Sequence, residues 1–580
     1  MNSTRSFRAV CGLSVSVFVV SHAAAQCLTV RSVMIAGTEV PGLPDVLTFV
    51  DSPDGLHRHA ISDDGSAYAG GFLDEDWLDN FAFVAVDSDG RQTVAALDGN
   101  PFPGFDSDPD YVFESLIAST ARMGRDGSLL IDTDVIGRSA VVRFRADGSS
   151  EIIAMTGEQV PTLAPGFVYD DIDLLTRVPS DRPMVLDVDV AFAGSGSGLR
   201  GAPDFGGVVM AETDDGLVVV ARDQRDADWI SPGLDLRTVS GRGVTDDGVV
   251  LVLGSVQGAG VTFENDLVWF LTSGDDDPSF VLREGDAFPF VGDGVRAVGV
   301  GAELGRGGDL FIGATLEGDG ITRFENDGIL LHRDAVGSVT RVLQKGDPAF
   351  GLPMGVTYRS VRRGPVVNAS GQAAMQIRLD DPNPVGREPI YNAIYRWDPV
   401  RGMTLIAFDL GPSPRVVGGE NLPYNRLSPL ELFINDEGRV AFDVTYAGSQ
   451  QRRMIVVTSP EGVAELAIRE GQRVTVEGAV PVDFVNEIPG RVYLRGLNNR
   501  GDMLFRTGFS GHRTAYLVAE GGSWRRCVAD TDGNGFITPD DFQSWVVAFN
   551  VQSTACDQNG DGLCTPADLS AWVVNFNAGC

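Results

Sequence analysis

Two stretches near the C-terminus, DTDGNGFITPDD (Asp530 to Asp541) and DQNGDGLCTPAD (Asp557 to Asp568), space their oxygen donors in the same way. In the first, Asp530, Asp532 and Asn534 occupy positions 1, 3 and 5, Phe536 offers its carbonyl at 7, Thr538 stands at 9 and Asp541 at 12. In the second, the same positions hold Asp557, Asn559, Asp561, the Leu563 carbonyl, Thr565 and Asp568. Gly535 and Gly562 supply the sharp turn at position 6. Three carboxylates at the ligand positions of each loop repel one another unless a cation lies among them. Hard oxygen donors at this spacing wrap an ion of calcium's size, so two Ca2+ ions are expected. Asp at position 12 is one methylene shorter than the usual Glu, which predicts modest affinity that millimolar extracellular calcium still satisfies.

The elements that position these donors are short. Thr538 and Thr565 are natural N-caps, with Pro539 and Pro566 at the first helical position. Phe542, Trp545, Val546 and Phe549 fall at i, i+3, i+4 and i+7, as do Leu569, Trp572, Val573 and Phe576, which predicts two helices with facing apolar stripes. No helix pattern enters either loop, so each unit is the loop-plus-exiting-helix half of an EF-hand, an F-hand. A pair of such units 27 residues apart, ending on Gly579 and Cys580, resembles the dockerin domain over residues 523–580. That resemblance implies a cohesin-like partner. In cellulosomal dockerins, loop positions 10 and 11 carry small hydroxylic residues that contact cohesin. Here they are Pro539 with Asp540 and Pro566 with Ala567, so attachment to a surface protein is predicted in preference to cellulosomal assembly.

Residues 1–25 read as a cleaved signal peptide: Arg5 and Arg8, then the apolar AVCGLSVSVFVV, then Ala23 to Ala25 before Gln26. An extracellular or cell-surface location follows, and no other apolar run is long enough to span a membrane. The formal net charge of −35 argues against nucleic acid and anionic lipid as partners and favours cations and neutral polymers. Beyond the signal, Cys27, Cys527, Cys556, Cys564 and Cys580 remain, the last four clustered at the C-terminal end as disulfide braces of a small exported domain. Two pairings are open. Either Cys27, Cys527, Cys556 and Cys564 pair among themselves and leave Cys580 as a terminal thiol, or Cys580 clasps Cys564 or Cys556 and leaves Cys27 free.

Residues 26–522 are organised by a repeat of about sixty residues. A turn followed by an apolar strand recurs as SDDGSAYA (62), GRDGSLLI (124), TDDGVVLV (245), GRGGDLFI (305), NASGQAAM (368), NDEGRVAF (435) and NNRGDMLF (498), with a degenerate SDRPMVLD at 180, making eight copies. Between copies lies a hairpin such as GVVMAETDDGLVVVARD or MIVVTSPEGVAELAIREG. Four strands per unit, with no helical periodicity, predict a mainly β chain folded as an eight-bladed β-propeller. The last unit stops after TAYLVAEGG without a final strand, while the chain begins with an unmatched LTVRSVMIAGTEVPG. The N-terminal strand is therefore expected to complete the last blade, which would bring Cys27 near Cys527. The repeats resemble bacterial exported proteins built from Asn-x-x-Gly-x-x-Ala-Phe units, with Asn435 to Phe442 the best match. This implies repeat architecture and surface placement without a known activity.

No catalytic motif is present: there is no His-Glu-x-x-His and no Gly-x-Ser-x-Gly elbow. His57 and His59 fall on one strand face, at a spacing that does not define a metal site. The glycines of GVGAELG (Gly299 to Gly305) read as a turn between strands, and the acidic runs YDDIDLL (Tyr169 to Leu175) and SGDDDPS (Ser273 to Ser279) as solvated turns. The 80 acidic residues make carboxylate pairs unavoidable and uninformative. Two functions compete. One is a noncatalytic exported propeller that binds a polymer or protein ligand and is held in place by its calcium tail. The other is a secreted carbohydrate-active enzyme, a glycoside hydrolase or lyase, carrying the same tail.

Overall fold

The computed structural model describes residues from Ala25 to Ala578, apart from 36–58, 74–80, 103–111, 175–184, 193–206, 412–423, 522–528 and shorter stretches. The chain divides into two compact units. The larger comprises Leu28–Arg526 with Gly533–Gly535, and the smaller Met1–Cys27, Cys527–Asp532 and Phe536–Cys580.

The larger unit is a β-propeller of eight sheets, six of them four-stranded, one five-stranded and one six-stranded. Each blade is an antiparallel meander. The fifth, for example, runs Val295–Leu304, Leu310–Gly318, Gly328–Arg333 and Val339–Gln344 in spatial order. The repeated turn joins the first strand of a blade to the second. In seven of these turns the repeat's glycine, from Gly65 to Gly501, has φ between +72° and +91°, a conformation that a side chain disfavours. The first strands of neighbouring blades lie against one another from the fourth blade round through the eighth to the first and second, so they surround a common axis. Apolar faces meet between blades. Leu251 and Trp269 of the fourth blade pack with Ala297, Leu310 and Ile312 of the fifth.

The ring closes as the unmatched terminal strand requires. Thr29–Ile35 pairs antiparallel with Arg513–Ala519, Val30 opposite Ala519 and Ile35 opposite Ala515, and buries Val30, Val33, Met34 and Ile35. It is not an edge. A hairpin of Arg473–Glu477 and Val485–Glu487, which the repeat pattern does not predict, adds to its other side in parallel register. Every backbone edge covered in this way is one fewer available for pairing with another chain.

A ladder of side-chain amides then ties the turns together. Asn368 Nδ2 donates to the Asn435 carbonyl at 2.8 Å, Asn435 Nδ2 to the Asn498 carbonyl at 3.2 Å, and Asn498 Nδ2 to the Ser62 carbonyl at 2.7 Å. The last of these crosses the closure from the eighth blade to the first. A second tier runs beside it: Asp436 N donates to Asn499 Oδ1 at 2.8 Å, and Asn499 N to Asp63 Oδ1 at 2.8 Å. Arg306 of the fifth blade holds Asp246 of the fourth through two bonds of 3.0 and 2.9 Å, and reaches Asp436 of the seventh at 3.5 Å. The Asn of the repeat thus does more than shape its own turn. It satisfies a buried carbonyl on the neighbouring blade.

Two sequence expectations are corrected here. Tyr169 to Leu174 is not a solvated turn but part of the strand Phe167–Leu174, because Tyr169, Ile172 and Leu174 are buried between blades. Gly299 and Gly301 lie within the strand Val295–Leu304 and not in a turn, since their amides continue the ladder with Thr315 and Gly313. Ser273 and Gly274 do lie in the connection between Leu267–Thr272 and Ser279–Arg283.

In the smaller unit, helices α1 (Pro539–Asn550) and α2 (Pro566–Ala578) form as their caps and periodicity predict. The Thr565 amide donates to Asp568 Oδ2 at 2.7 Å while the Asp568 amide donates to the Thr565 carbonyl at 3.0 Å, which ties the acid at loop position 12 to the N-cap of α2. Each helix braces the opposite loop. Trp545 Nε1 donates to the Cys556 carbonyl at 3.0 Å, and Trp572 Nε1 to the Ala529 carbonyl at 3.2 Å, the residues that precede Asp557 and Asp530. The apolar stripes meet only through these indoles and their neighbours. Phe542, Val546, Leu569 and Val573 remain between 36 and 44% exposed, because two short helices bury little more than their central ring pairs. Ala25–Gln26 pairs antiparallel with Phe536–Ile537.

Candidate functional site

Because the first strands surround the axis, their side chains are those a ligand entering the ring would meet. In a chain of net charge −35 those strands are rich in arginine. Arg242, Arg359, Arg362 and Arg363 are all exposed there, on Leu234–Val244 of the fourth blade and Thr357–Val367 of the sixth. Such local excess of positive charge focuses the field on anionic groups even where the whole protein repels them.

The charges converge between the sixth, seventh and eighth blades. Arg495, on the first strand of the eighth blade (Tyr493–Leu497), approaches Glu431 at 4.0 Å. Arg453, at the start of the strand Arg452–Thr458, pairs with Asp443 on the neighbouring strand Val440–Tyr446. The Tyr493 ring lies against both guanidinium groups, with the Arg453 carbon 4.7 Å and the Arg495 carbon 5.5 Å from its centroid. Glu431 N donates to Asp443 Oδ1 at 3.4 Å, which links the two carboxylates through the backbone. His59, on the first strand of the first blade, stacks on Tyr516 of the eighth at 5.7 Å.

The two acids differ in environment. Asp443 is fully buried and bound to Arg453, whereas Glu431 is 43% exposed. Burial pushes the Glu431 carboxyl above its ordinary value, Arg495 and Arg363 pull it back, and Asp443 adds to the push, leaving it raised. Burial likewise raises the Tyr516 phenol, against the pull of Arg506 and Arg495. The arrangement offers one reachable carboxyl whose pKa burial raises, the Tyr493 phenol, and guanidinium groups that neutralise an approaching carboxylate. Two reachable carboxylates flanking one bond, the arrangement that glycoside hydrolysis uses, are not what Glu431 and Asp443 provide.

The sequence-predicted metal ligands, all but Asn534, belong to the smaller unit. Asp541 and Asp568, the last ligand position of each loop, are both fully buried, and Asp568 Oδ1 accepts from the Gln558 amide at 2.8 Å. Phe536 lies in the short strand Phe536–Ile537, Leu563 is exposed, and Asp557 and Thr565 are half-buried. Asp530, Asp532, Asn534, Thr538, Asn559 and Asp561 lie outside the described residues. Among the described residues no three of His, Cys, Asp or Glu are grouped to hold a metal. Cys556 and Cys564 form a disulfide, which removes the clasp of Cys580 onto either of them; Cys27, Cys527 and Cys580 lie outside the description, as do His57 and His512. Among the described residues no helix is long and apolar enough to cross a membrane.

The inner-strand cluster escaped the sequence because its members are drawn from three blades. The available signal was the arginine content of the strands that precede each repeated turn.

A family model described as "Family of unknown function (DUF7453)" matches residues 138–525. No curated protein matches the chain. Among solved structures, Pyrococcus horikoshii acylaminoacyl peptidase aligns with a TM-score of 0.34 and 8% identity over 78% of this chain, which spans 56% of the peptidase. The polysaccharide lyase Uly1 aligns with a TM-score of 0.30 and 10% identity, over 86% of this chain and 98% of that one. Penicillium chrysogenum alpha-L-arabinanase complexed with arabinobiose gives 0.24 and 12%, over 75% and 99%.

Proposed function

Since the chain belongs to DUF7453, a family of unknown function, we propose from its own residues that it is a secreted carbohydrate-active propeller whose substrate is a carboxylated polysaccharide. The observation that carries this reading is Glu431, a half-buried carboxyl of raised pKa set among Arg495, Arg363 and Tyr493.

The reaction class that fits is elimination across a uronate residue. Arg495 and Arg363 neutralise the sugar carboxylate, which acidifies the adjacent C–H. Tyr493, acting as its phenolate, takes that proton and becomes the phenol, the C–H electron pair becomes the new C=C bond, the glycosidic C–O bond breaks, and Glu431 delivers a proton to the departing oxygen. Atoms balance without water or any redox partner. Arg453 and the sealed Asp443 position the Tyr493 ring.

The tail serves retention in this reading. Its twelve predicted donors hold two Ca2+ ions that order the loops, and the module attaches the propeller to a surface protein or cohesin-like partner outside the cell. Support comes from Asp541 and Asp568, buried carboxylates at the same position of both loops.

The test is incubation of the full chain with neutral and uronate-containing polysaccharides, following the ultraviolet absorbance of an unsaturated product together with new reducing ends. Unsaturated product from an acidic polymer, lost in Glu431→Gln and in Arg495→Ala, is expected. Reducing ends without unsaturation would replace elimination with hydrolysis, and no turnover of any acidic polymer would end the enzymatic reading.

A further inference from the structure

A cavity of about 600 Å3 opens between the fourth, fifth and sixth blades, apart from the Glu431 cluster. Its fifth-blade wall is formed by Gly299, Gly301 and Gly313, with Gly301 and Gly313 directly paired across the two innermost strands. Glycine inside a strand is destabilising, because it is entropically costly and packs nothing. Close packing does not explain these three. A Cβ built at Gly301 meets nothing within 4 Å, at Gly313 only the Gly301 carbonyl at 3.9 Å, and at Gly299 only Thr315 at 3.7 Å. None of the three has the positive φ that demands glycine. What the missing side chains leave is space, and with it reachable backbone polar groups on the innermost strand.

The remaining walls state what could fill that space. Trp269 and a group of aliphatic residues make most of the lining apolar, and Trp269 is fixed by an indole bond to the Val300 carbonyl at 3.3 Å. Arg242 and Arg359 bring two guanidinium groups, and the Glu303 carboxylate and Lys345, itself paired with Asp327, also line the cavity. Arg359 also reaches Asp380 at 3.4 Å, whereas Arg242 has no ion-pair partner among the described residues. An apolar body with a few placed polar groups is the usual make-up of a small-molecule site, and an uncommitted guanidinium selects a carboxylate.

We infer that the glycine-walled cavity between the fourth, fifth and sixth blades is a binding site for a compact ring-bearing carboxylate, its acid group held by Arg242 and Arg359 and its ring against the glycines and Trp269. A hexuronate and an aromatic acid share this chemistry. The inference goes beyond the polysaccharide reading, since it requires binding of a small acid and no turnover.

Titration calorimetry on the full chain tests it with three probes: galacturonate, 4-hydroxybenzoate and neutral galactose. At least one acid binds and galactose does not; which acid binds identifies the source. Gly301→Val fills the cavity from a position with room for the side chain, so it abolishes binding while the thermal melt stays at or above that of the native chain. Arg242→Ala weakens binding about tenfold or more, the worth of one charged hydrogen bond. Arg495→Ala, in the other cluster, leaves it unchanged. Failure of both acids to bind, equal binding of galactose, or binding that survives Gly301→Val overturns the inference. Loss of polysaccharide turnover alone does not touch it.

Discussion

Replacing Asn498 by Asp changes one nitrogen to oxygen at the point where the ring closes, and the structure sets the cost. Asn498 is 3% exposed. Its Nδ2 donates to the Ser62 carbonyl at 2.7 Å and to Asp502 Oδ2 at 2.9 Å, while its Oδ1 accepts from the Asp502 amide at 2.7 Å. Asn498→Ala strands the groups at the far ends of these bonds, at roughly 1–3 kcal/mol for each that water does not reach, so a loss of about 3 kcal/mol is expected. Asn498→Asp keeps the accepting oxygen but sets a second carboxylate beside that of Asp502. Two unit charges about 4 Å apart at an effective dielectric of about 20 repel by about 4 kcal/mol, on top of the two lost donors. The isosteric variant is therefore the less stable of the two at neutral pH. Its defect also titrates. The introduced carboxyl has a folded-state pKa raised above its unfolded value, so the penalty grows as pH rises through that folded pKa. As pH falls the group protonates and regains a donor, and the penalty disappears. Urea midpoints of the native chain and both variants at neutral and mildly acidic pH measure this. A stability gap for Asn498→Asp that is smaller than that of Asn498→Ala at neutral pH, or one that does not narrow on acidification, refutes the ladder as a closure device.

The other expectations are shorter. Arg453→Met leaves the fully buried Asp443 without its cation and costs about 3–5 kcal/mol; adding Asp443→Leu recovers most of the loss, as urea midpoints would show. Deleting residues 26–42 removes Val30, Val33, Met34 and Ile35 from the last blade and lowers the melting temperature of the whole propeller; an unchanged melt would mean that the ring does not depend on that strand. Calorimetry of the full chain should register calcium, and the double variant Asp530→Ala with Asp557→Ala should abolish that heat; silence from the native chain would remove calcium from the account.

The blades were legible because both of their signals are local. A glycine turn such as NDEG before VAF, then a hairpin closed by PEG, lies within a few residues, and an unmatched strand at one end with a missing strand at the other allows only one economical pairing. Gly299 and Gly301 misled because a strand is normally recognised by its side chains, and here the strand has dispensed with them. Tyr169 to Leu174 misled because its acids mask a buried alternation of Tyr169, Ile172 and Leu174. The Glu431 cluster was hidden for a different reason: Arg363, Glu431, Arg453 and Arg495 come together only once three blades are stacked, and in a list of 80 acids no one of them stands out. Net charge misdirected as well, since −35 describes the whole surface and the arginines occupy the inner strands.

The pairing of Val30 with Ala519 sets a timetable for the molecule. A chain made from its N-terminus offers the first strand of this pair long before the second exists. The eighth blade therefore waits until nearly all the chain has been made. Contacts so distant in sequence make for slow folding, and the same closure works in reverse. No blade can peel away without first breaking a sheet built from both ends, so the lifetime of the fold against proteases is set by the height of an unfolding barrier more than by its equilibrium stability.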